Sequence, residues 1–314
     1  MNSSSGPDLS VIVPIYKEEA SIQPFLLRLE PVLAQTKLSY EIIFCLDPSP
    51  DRTEEVVMKE IDRNSNIKML IFSRRFGQPA ATMAGLSLCK GKSCVVIDVD
   101  LQDPPELILE MLEKTKEGYE VVCAKRRSRQ GETLLKKIIP FVGYKVISKF
   151  SEVDIPRNTG DFRIMTRRVI DELLKLNETH GFLRGLVSYV GFRQAYIEYD
   201  RDRRQSGITN YNRFTGSLKI GLHGIISFGY RPLQIMSILG VIFAGLSFLL
   251  GLWYVFQKLI GIHLTPGLPT TVLCITFFSG IQLLSLGLMG EYVGRIYEEV
   301  KQRPMYIIDR KINL

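Results

Sequence analysis

From Leu233 to Gln257, and again from Leu259 to Gly290, the chain carries no Asp, Glu, Lys or Arg. No other feature restricts the fold so strongly. Each run exceeds the roughly 20 apolar residues that cross a hydrocarbon core, and helices of soluble proteins rarely go uncharged for that long. Two transmembrane helices, over 233–257 and 266–290, are therefore expected, the alternative being buried core helices. The composition changes at Arg231-Pro232, which divides the 314 residues into a charged portion (1–230), a membrane portion (231–295) and a tail (296–314).

The opening stretch MNSSSGPDLSVIVP lacks the basic region, apolar core and small-residue cleavage site of a secretory signal, so the charged portion is expected to stay on the side of synthesis. Arg231 precedes the first apolar run, and Arg295, Lys301, Arg303, Arg310 and Lys311 follow the second, while the connecting loop has only Lys258 at its edge. This asymmetry puts the charged portion and both termini in the cytoplasm. Five cysteines (Cys45, Cys89, Cys94, Cys123 and Cys274) without Cys-x-x-Cys spacing suit buried thiols better than a disulfide framework or a zinc site. A net charge of +7 invites a nucleic-acid reading, but beside two apolar runs the anionic head groups of a membrane are the simpler partner, and nucleic acid is set aside.

Within the charged portion, apolar runs rich in β-branched residues alternate with segments of helical period. The runs are LSVIVPIY (9–16), YEIIFCL (40–46), IKMLIFS (67–73), SCVVIDVD (93–100) and YEVVCAK (119–125). Between them, EEASIQPFLLRLEPVLAQT, TEEVVMKEIDRN, QPAATMAGLSLCKG and PPELILEMLEKTKEG repeat apolar residues every three or four positions, and Gly91 and Gly118 fall where helices should stop. This is the pattern of an α/β domain, a parallel sheet wrapped by helices. In such folds the chemistry collects beyond the carboxyl ends of the strands. There the sequence places Pro14 to Glu19, Asp47 to Asp51, Ser73 to Gly77, and Asp98 to Asp103.

Asp98 and Asp100 stand two apart at the end of an extended run and can approach one ion from a shared face or across a turn. A hard cation such as Mg²⁺ takes carboxylate and phosphate oxygen, leaving other positions to water or to an amide such as Gln102. An Asp-x-Asp alone also fits a solvated turn or a helix cap. Here an apolar strand precedes it and Leu-Gln-Asp-Pro-Pro-Glu follows, with Pro104 and Pro105 opening a helix, which narrows the reading toward a site.

The stretches VIVPIYKEEASI, EIIFCLDPSPDRT, SRRFGQPAATMAGL, VVIDVDLQDPPE, NTGDFRIMTRRVID and DRDRRQSGITNYN, followed by two apolar spans, make the chain resemble a family 2 glycosyltransferase of the Rossmann-like GT-A fold. It resembles in particular the dolichyl-phosphate mannose synthase group and the GtrB-type polyisoprenyl-phosphate glucosyltransferases. The resemblance implies that Pro14, Tyr16, Glu18, Asp47 and Gln78 line the nucleotide-sugar pocket, with Asp47 accepting the imide N–H of uracil and Asp98 near the ribose. It further implies that Asp100 and Gln102, with Asp98 beside them, hold Mg²⁺ or Mn²⁺ and the diphosphate. The chain departs from the family at Lys17, where Asn is usual, and at Leu46-Asp47-Pro48-Ser49, where Asp-Asp-Gly-Ser is usual.

Asp161 matches the position that the family assigns to a catalytic base. An acceptor hydroxyl would need one, but a monoalkyl phosphate has its second pKa near ~6 and is already largely dianionic at neutral pH. Orienting the acceptor, or pairing with Arg163, are the alternatives for Asp161. Guanidinium groups bind phosphate bidentately, and by family position Arg126 and Arg204, supported by Arg129 and Arg201, would hold the acceptor phosphate. Two basic amphipathic pieces, 134–150 and 215–229, suit the head-group plane, or packing on the domain or on another subunit.

Together these features lead to an inverting enzyme that moves a hexose, glucose from UDP-glucose first among the choices, onto undecaprenyl, dolichyl or a similar polyisoprenyl phosphate. GDP-mannose is the alternative donor, and a non-catalytic membrane scaffold is the alternative class. A processive polysaccharide synthase is excluded because its Gln-x-x-Arg-Trp motif cannot form around Trp253, the only tryptophan. Gly240, Ala244, Gly280 and Gly287 in the spans could pack between subunits of a homo-oligomer.

Overall fold

The structure is a computed structural model that describes residues 6–127, 159–176, 178, 183–201, 231–261 and 267–314. Two compact units divide it, the first ending with Arg303–Leu314 and the second including the long helices up to Gln302. Both amphipathic pieces expected at the membrane surface, 134–150 and 215–229, lie outside the described residues.

In the first unit the predicted alternation is realised as β1 (Leu9–Ile15), α1 (Ile22–Thr36), β2 (Tyr40–Leu46), α2 (Thr53–Arg63), β3 (Ile67–Phe72), α3 (Gln78–Leu88), β4 (Ser93–Val96), α4 (Leu107–Lys116) and β5 (Val121–Arg126). Beyond it come β6 (Thr159–Thr166), α5 (Arg167–Lys175), α6 (Leu183–Tyr189) and β7 (Gln194–Tyr199). The sheet has the order β7-β5-β6-β4-β1-β2-β3 and continues to a C-terminal strand, β8 (Ile308–Ile312). It is mixed rather than wholly parallel. Strands β4, β1, β2 and β3 run parallel, β6 is inserted antiparallel between β4 and β5, and β7 is parallel to β5.

Helices on both faces account for a β1 buried at every position, as a central strand requires. On α1 the buried residues Ile22, Phe25, Leu26, Leu29, Val32 and Leu33 recur at helical spacing and form its core face. Helix α3 approaches more closely. A Cβ at Gly85 would lie 2.4 Å from Ile12 Cγ2 and 2.8 Å from Cys45 Sγ, so any side chain there would lift α3 off β1 and β2. The helix begins at Gln78, so its seating sets the position of a residue in the site.

The reading of 296–314 as a tail needs correction. Residues 308–312 are an edge strand, with Met69 opposite Ile312 and Ile71 opposite Arg310. The Tyr306 ring packs edge-on against Phe72 at 6.0 Å, its hydroxyl is 2.8 Å from Ser87 Oγ, and Asn313 Nδ2 donates to Ser65 O and Ile67 O. Five residues with three charges, IDRKI, give too short an apolar alternation to be read as a strand, and charges outward on an edge strand guard it against further pairing.

The second unit, taken by itself, holds α7 (Arg231–Leu259) and α8 (Leu268–Val300). Windows over Leu233–Gln257 and Cys274–Val300 are long and apolar enough to cross a membrane, with mean hydropathies of 2.4 and 1.3, and none of either window is buried. That is not the burial of a core helix. Helix α8 continues ten residues beyond the expected end at 290, through Glu291 and Arg295. Phe243 packs edge-on against Phe277 and Phe278, at 6.2 and 5.6 Å. Cβ atoms placed on Gly240, Gly280 or Gly287 meet nothing within 4 Å. Of the five cysteines, four are buried thiols and Cys274 is exposed.

At the amino ends of the strands, Glu41 on β2 is 2 % exposed and ties four segments together. Ser10 Oγ of β1 and the Lys90 backbone N–H donate to its Oε1 at 2.5 and 2.7 Å, and Lys68 Nζ of β3 lies 2.8 Å from Oε2. Burial pushes its carboxyl up, but these donors outweigh it and hold the pKa below the ordinary glutamate value. Glu41→Ala, which strands Lys68, is expected to cost about 3–5 kcal/mol, measured by denaturant unfolding of the detergent-solubilised chain. Because the folded-state pKa is depressed, the stabilisation is complete above the unfolded value of about 4.3 and disappears as pH falls below it. The cost of the substitution should shrink over that interval.

Candidate active site

Strand β1 has β2 on one side and β4 on the other, so the chain order reverses about it and a crevice opens at the carboxyl ends of these strands. Pro14 is buried within β1, and half-buried Tyr16 follows it. The Arg75 guanidinium stacks 3.9 Å from the Tyr16 ring centroid, and Lys17 Nζ lies 5.5 Å from the same ring. Arg75 and Lys17 thus flank one aromatic ring with positive charge. Glu18 is drawn toward the start of α1, its carboxylate accepting from Ser21 Oγ at 2.6 Å and its N–H donating to Thr53 Oγ1 at 3.0 Å.

Asp47, at the end of β2, is 3 % exposed and accepts the backbone N–H groups of Phe76 and Gly77 at 2.9 and 2.8 Å. Gly77 sits at φ +90°, a conformation that favours glycine, and this turn feeds α3. Asp47 therefore shapes the β3–α3 loop, and a base would have to share an oxygen already engaged. From the first residue of α3, Gln78 Nε2 donates to Asp98 Oδ1 at 2.7 Å.

Strand β4 stops at Val96, and the following loop turns sharply at Leu101, with φ +58°, so that Asp98, Asp100 and Asp103 fall within one region. The Gln102 N–H donates to Asp100 Oδ1 at 3.1 Å. Asp161 on β6 joins them from the antiparallel side. Burial, then the negative charges of Asp161, Asp103 and Asp100, push the pKa of half-buried Asp98 up to about 8. Asp161 goes the other way. Burial would raise it, but Arg184 donates to both its oxygens at 3.0 and 3.3 Å and, with Arg163 at 3.7 Å and Arg126, holds it below the usual carboxylate range.

Two of the four arginines expected to bind phosphate, Arg126 and Arg201, meet at the same place. Register pairs Arg126, the last residue of β5, with Tyr199, the last of β7. Arg126 Nε donates to the Tyr199 hydroxyl at 3.2 Å, and that hydroxyl donates to Asp103. Arg126 Nη2 lies 3.6 Å from Asp103 Oδ2, while Arg201 reaches Asp103 Oδ1 with Nε at 3.5 Å and Asp100 Oδ2 with Nη2 at 3.8 Å. Gly160 makes room, since a Cβ there would stand 2.9 Å from Arg126 Nη2. Arg129 and Arg204 lie outside the described residues.

Whether these residues fit a divalent ion can be tested on the acids themselves. Among the described residues no three His, Cys, Asp or Glu side chains form a metal cage. One or two carboxylates beside an amide fit an ion that takes most of its ligands from substrate phosphate and water, as Mg²⁺ does. The crowding that raises Asp98 is negative charge that such an ion would offset. Sequence reasoning missed Asp103, Tyr199, Gly160 and Arg184. Asp103 reads as an acid at a helix start, and Arg184 sits on α6, a seven-residue helix too short for a periodic signal.

Residues 10–174 match the family model described as Glycosyl transferase family 2, and the chain belongs to that family. With the mixed α/β sheet, this makes the first unit a GT-A-type transferase domain. The chain is 44 % identical over 305 residues to an uncharacterized glycosyltransferase, YkcC, of Bacillus subtilis, covering 97 % of this chain and 94 % of that one. It is 36 % identical over 302 residues to the SfII prophage-derived bactoprenol glucosyl transferase of Shigella flexneri, covering 96 % and 97 % of the two chains. A solved glucosyl-3-phosphoglycerate synthase of Mycobacterium tuberculosis, in complex with Mn²⁺ and UDP, is similar over 71 % of this chain and 80 % of its own, at 17 % identity and a TM-score of 0.47, a distant likeness of overall fold.

Replacing Arg184 by Met should destabilise the protein by about 3 kcal/mol at neutral pH, since a largely buried carboxylate loses its bidentate partner. The folded-state pKa of Asp161 is depressed, so this contribution exists above the unfolded value and fades as pH falls through it. The difference in unfolding midpoint between wild type and variant should therefore narrow below about pH 4. A difference that stays constant down to pH 3 would show that Arg184 acts through packing.

Proposed function

We propose that the protein transfers glucose from UDP-glucose to a polyisoprenyl phosphate at the cytoplasmic face of a membrane, inverting the anomeric carbon. The observation that carries this reading is the meeting of two charge systems in one crevice. The acids Asp98 and Asp100 lie on the donor side, and the guanidinium groups of Arg126 and Arg201 lie beside them, joined through Asp103. A reaction between two phosphate-bearing substrates needs both. Relatives at 36 % identity over nearly the whole chain, named bactoprenol glucosyl transferases, support the choice of sugar and carrier. Two helices long and apolar enough to span a bilayer suit a lipid substrate, and the basic residues flanking them favour cytoplasmic termini.

In this reading Pro14, Tyr16, Glu18, Asp47 and Gln78 shape the nucleotide pocket, Asp98 lies near the ribose, and Asp100 with Gln102 would hold Mg²⁺ or Mn²⁺. Bound there, the ion would offset the charge of the departing diphosphate. Arg126 and Arg201, with Arg129 and Arg204, hold the lipid phosphate so that its oxygen faces the anomeric carbon opposite the leaving group. The attacking dianion has no proton to lose. Asp161, whose charge is fixed by Arg184, orients the acceptor and is a poor base.

Purified protein incubated with UDP and GDP sugars, undecaprenyl phosphate and Mg²⁺ should yield undecaprenyl-phosphate glucose from UDP-glucose, identified by mass spectrometry of the lipid. Chelation should stop the reaction, and Asp100→Ala should reduce it by about 100-fold or more. A mannosyl lipid from GDP-mannose would redirect the donor assignment. Full metal-dependent transfer by Asp100→Ala would overturn the site.

A further inference from the structure

We infer that Asp103 is the positioning residue of the acceptor site, a buried carboxylate that holds Arg126 and Arg201 at a spacing suited to one phosphate without using up their N–H groups. The inference rests on the acceptor reading above and deepens it. Asp103 is 1 % exposed, so it is poorly placed to touch either substrate. It nevertheless joins three elements, its own β4–α4 loop, the end of β5 through Arg126, and the end of β7 through Tyr199 and Arg201.

The separations carry the argument. Its partners Arg126 and Arg201 stand 3.6 and 3.5 Å away, at charge-contact rather than hydrogen-bond distance. Among the described residues, Asp103 Oδ2 and Arg201 Nε are buried and take no hydrogen bond. The hydrogen bond that Asp103 accepts comes from Tyr199, whose pKa is raised by burial and by Asp103 itself, so the hydroxyl stays a donor. Two guanidinium groups drawn to opposite oxygens of one carboxylate repel each other. Asp103 offsets that repulsion from beneath, and because its contacts are long, the partly exposed guanidinium groups keep N–H groups that it does not hydrogen-bond.

Asp103 also fixes where Arg201 rests. That side chain lies between Asp103 and Asp100, and without the Asp103 charge it would be left with Asp100, an acid of the donor side. Tyr199 completes the device by setting Arg126 through its Nε, against the slot that Gly160 leaves open.

The test compares full-length wild type, D103N and Y199F in detergent, by calorimetric titration with farnesyl phosphate and, separately, with UDP. In D103N the amide can still accept from Tyr199 but the charge is gone. Its affinity for farnesyl phosphate should fall roughly tenfold, with UDP affinity changed by less than about twofold. Y199F should show the same selectivity with a loss of about threefold. In turnover, the KM for undecaprenyl phosphate should rise while that for UDP-glucose holds. Equal losses for both ligands in D103N and Y199F would indicate a merely structural role and overturn the inference, as would unchanged farnesyl phosphate binding in D103N. Wild type that binds UDP but no farnesyl phosphate would instead remove the acceptor reading itself, and the inference with it.

Discussion

The constraint on which the rest of this site depends is the repulsion among Asp98, Asp100, Asp103 and Asp161, four carboxylates brought together at the carboxyl ends of the strands. Like charges gathered in a partly buried site repel one another, so the cluster calls for compensation. Three different compensations are visible. Asp161 is neutralised by salt bridges to Arg184 and Arg163, Asp103 by its contacts with Arg126 and Arg201 and the hydroxyl of Tyr199, and Asp98 by raised proton affinity, which a cation could replace. The last is crowding of negative charge that a cation bound at neighbouring Asp100 would offset.

The sheet makes this crowding possible. A wholly parallel continuation would follow β4 with another strand of the same direction. Here β6 is inserted antiparallel and carries Asp161 alongside the end of β4, with Val96 opposite Arg163. The parallel pairing of β5 with β7 then brings Arg126 level with Tyr199, two residues before Arg201. Two glycines mark where backbone and side chain come closest. Gly85 lets α3 settle on β1 and β2 so that Gln78 reaches Asp98, and Gly160 gives Arg126 its place beside β6.

The first five strands and four helices were legible because each is long enough for its period to show, and each strand ends on a polar stretch. Pairing was not. The antiparallel insertion of β6 depends on contacts between Ser93–Val96 and residues some seventy positions later, and no local pattern encodes that register. The same limit separates the site residues. Asp98, Asp100 and Gln102 lie in one continuous motif and could be read together, whereas the roles of Asp103 and Arg184 appear only when distant segments meet. Beside them, Asp47 shows how a motif position can carry a structural task that the motif does not announce, since its carboxylate organises the Phe76-Gly77 backbone.

The distribution of arginines among the acids bears on how the reaction avoids a base. A residue that takes a proton needs a pKa near the working pH, and within the acid cluster Asp98 is pushed that way while Asp161 is pushed down. Yet Asp98 already accepts from Gln78, two residues from Asp100. A nucleophile that arrived as a hydroxyl would need a proton acceptor, and Asp161 is held ionised by Arg184 and Arg163. A phosphate dianion needs none, and the partly exposed guanidinium groups of Arg126 and Arg201 suit it. The electrostatics of the crevice thus suit the acceptor class proposed above, a lipid phosphate.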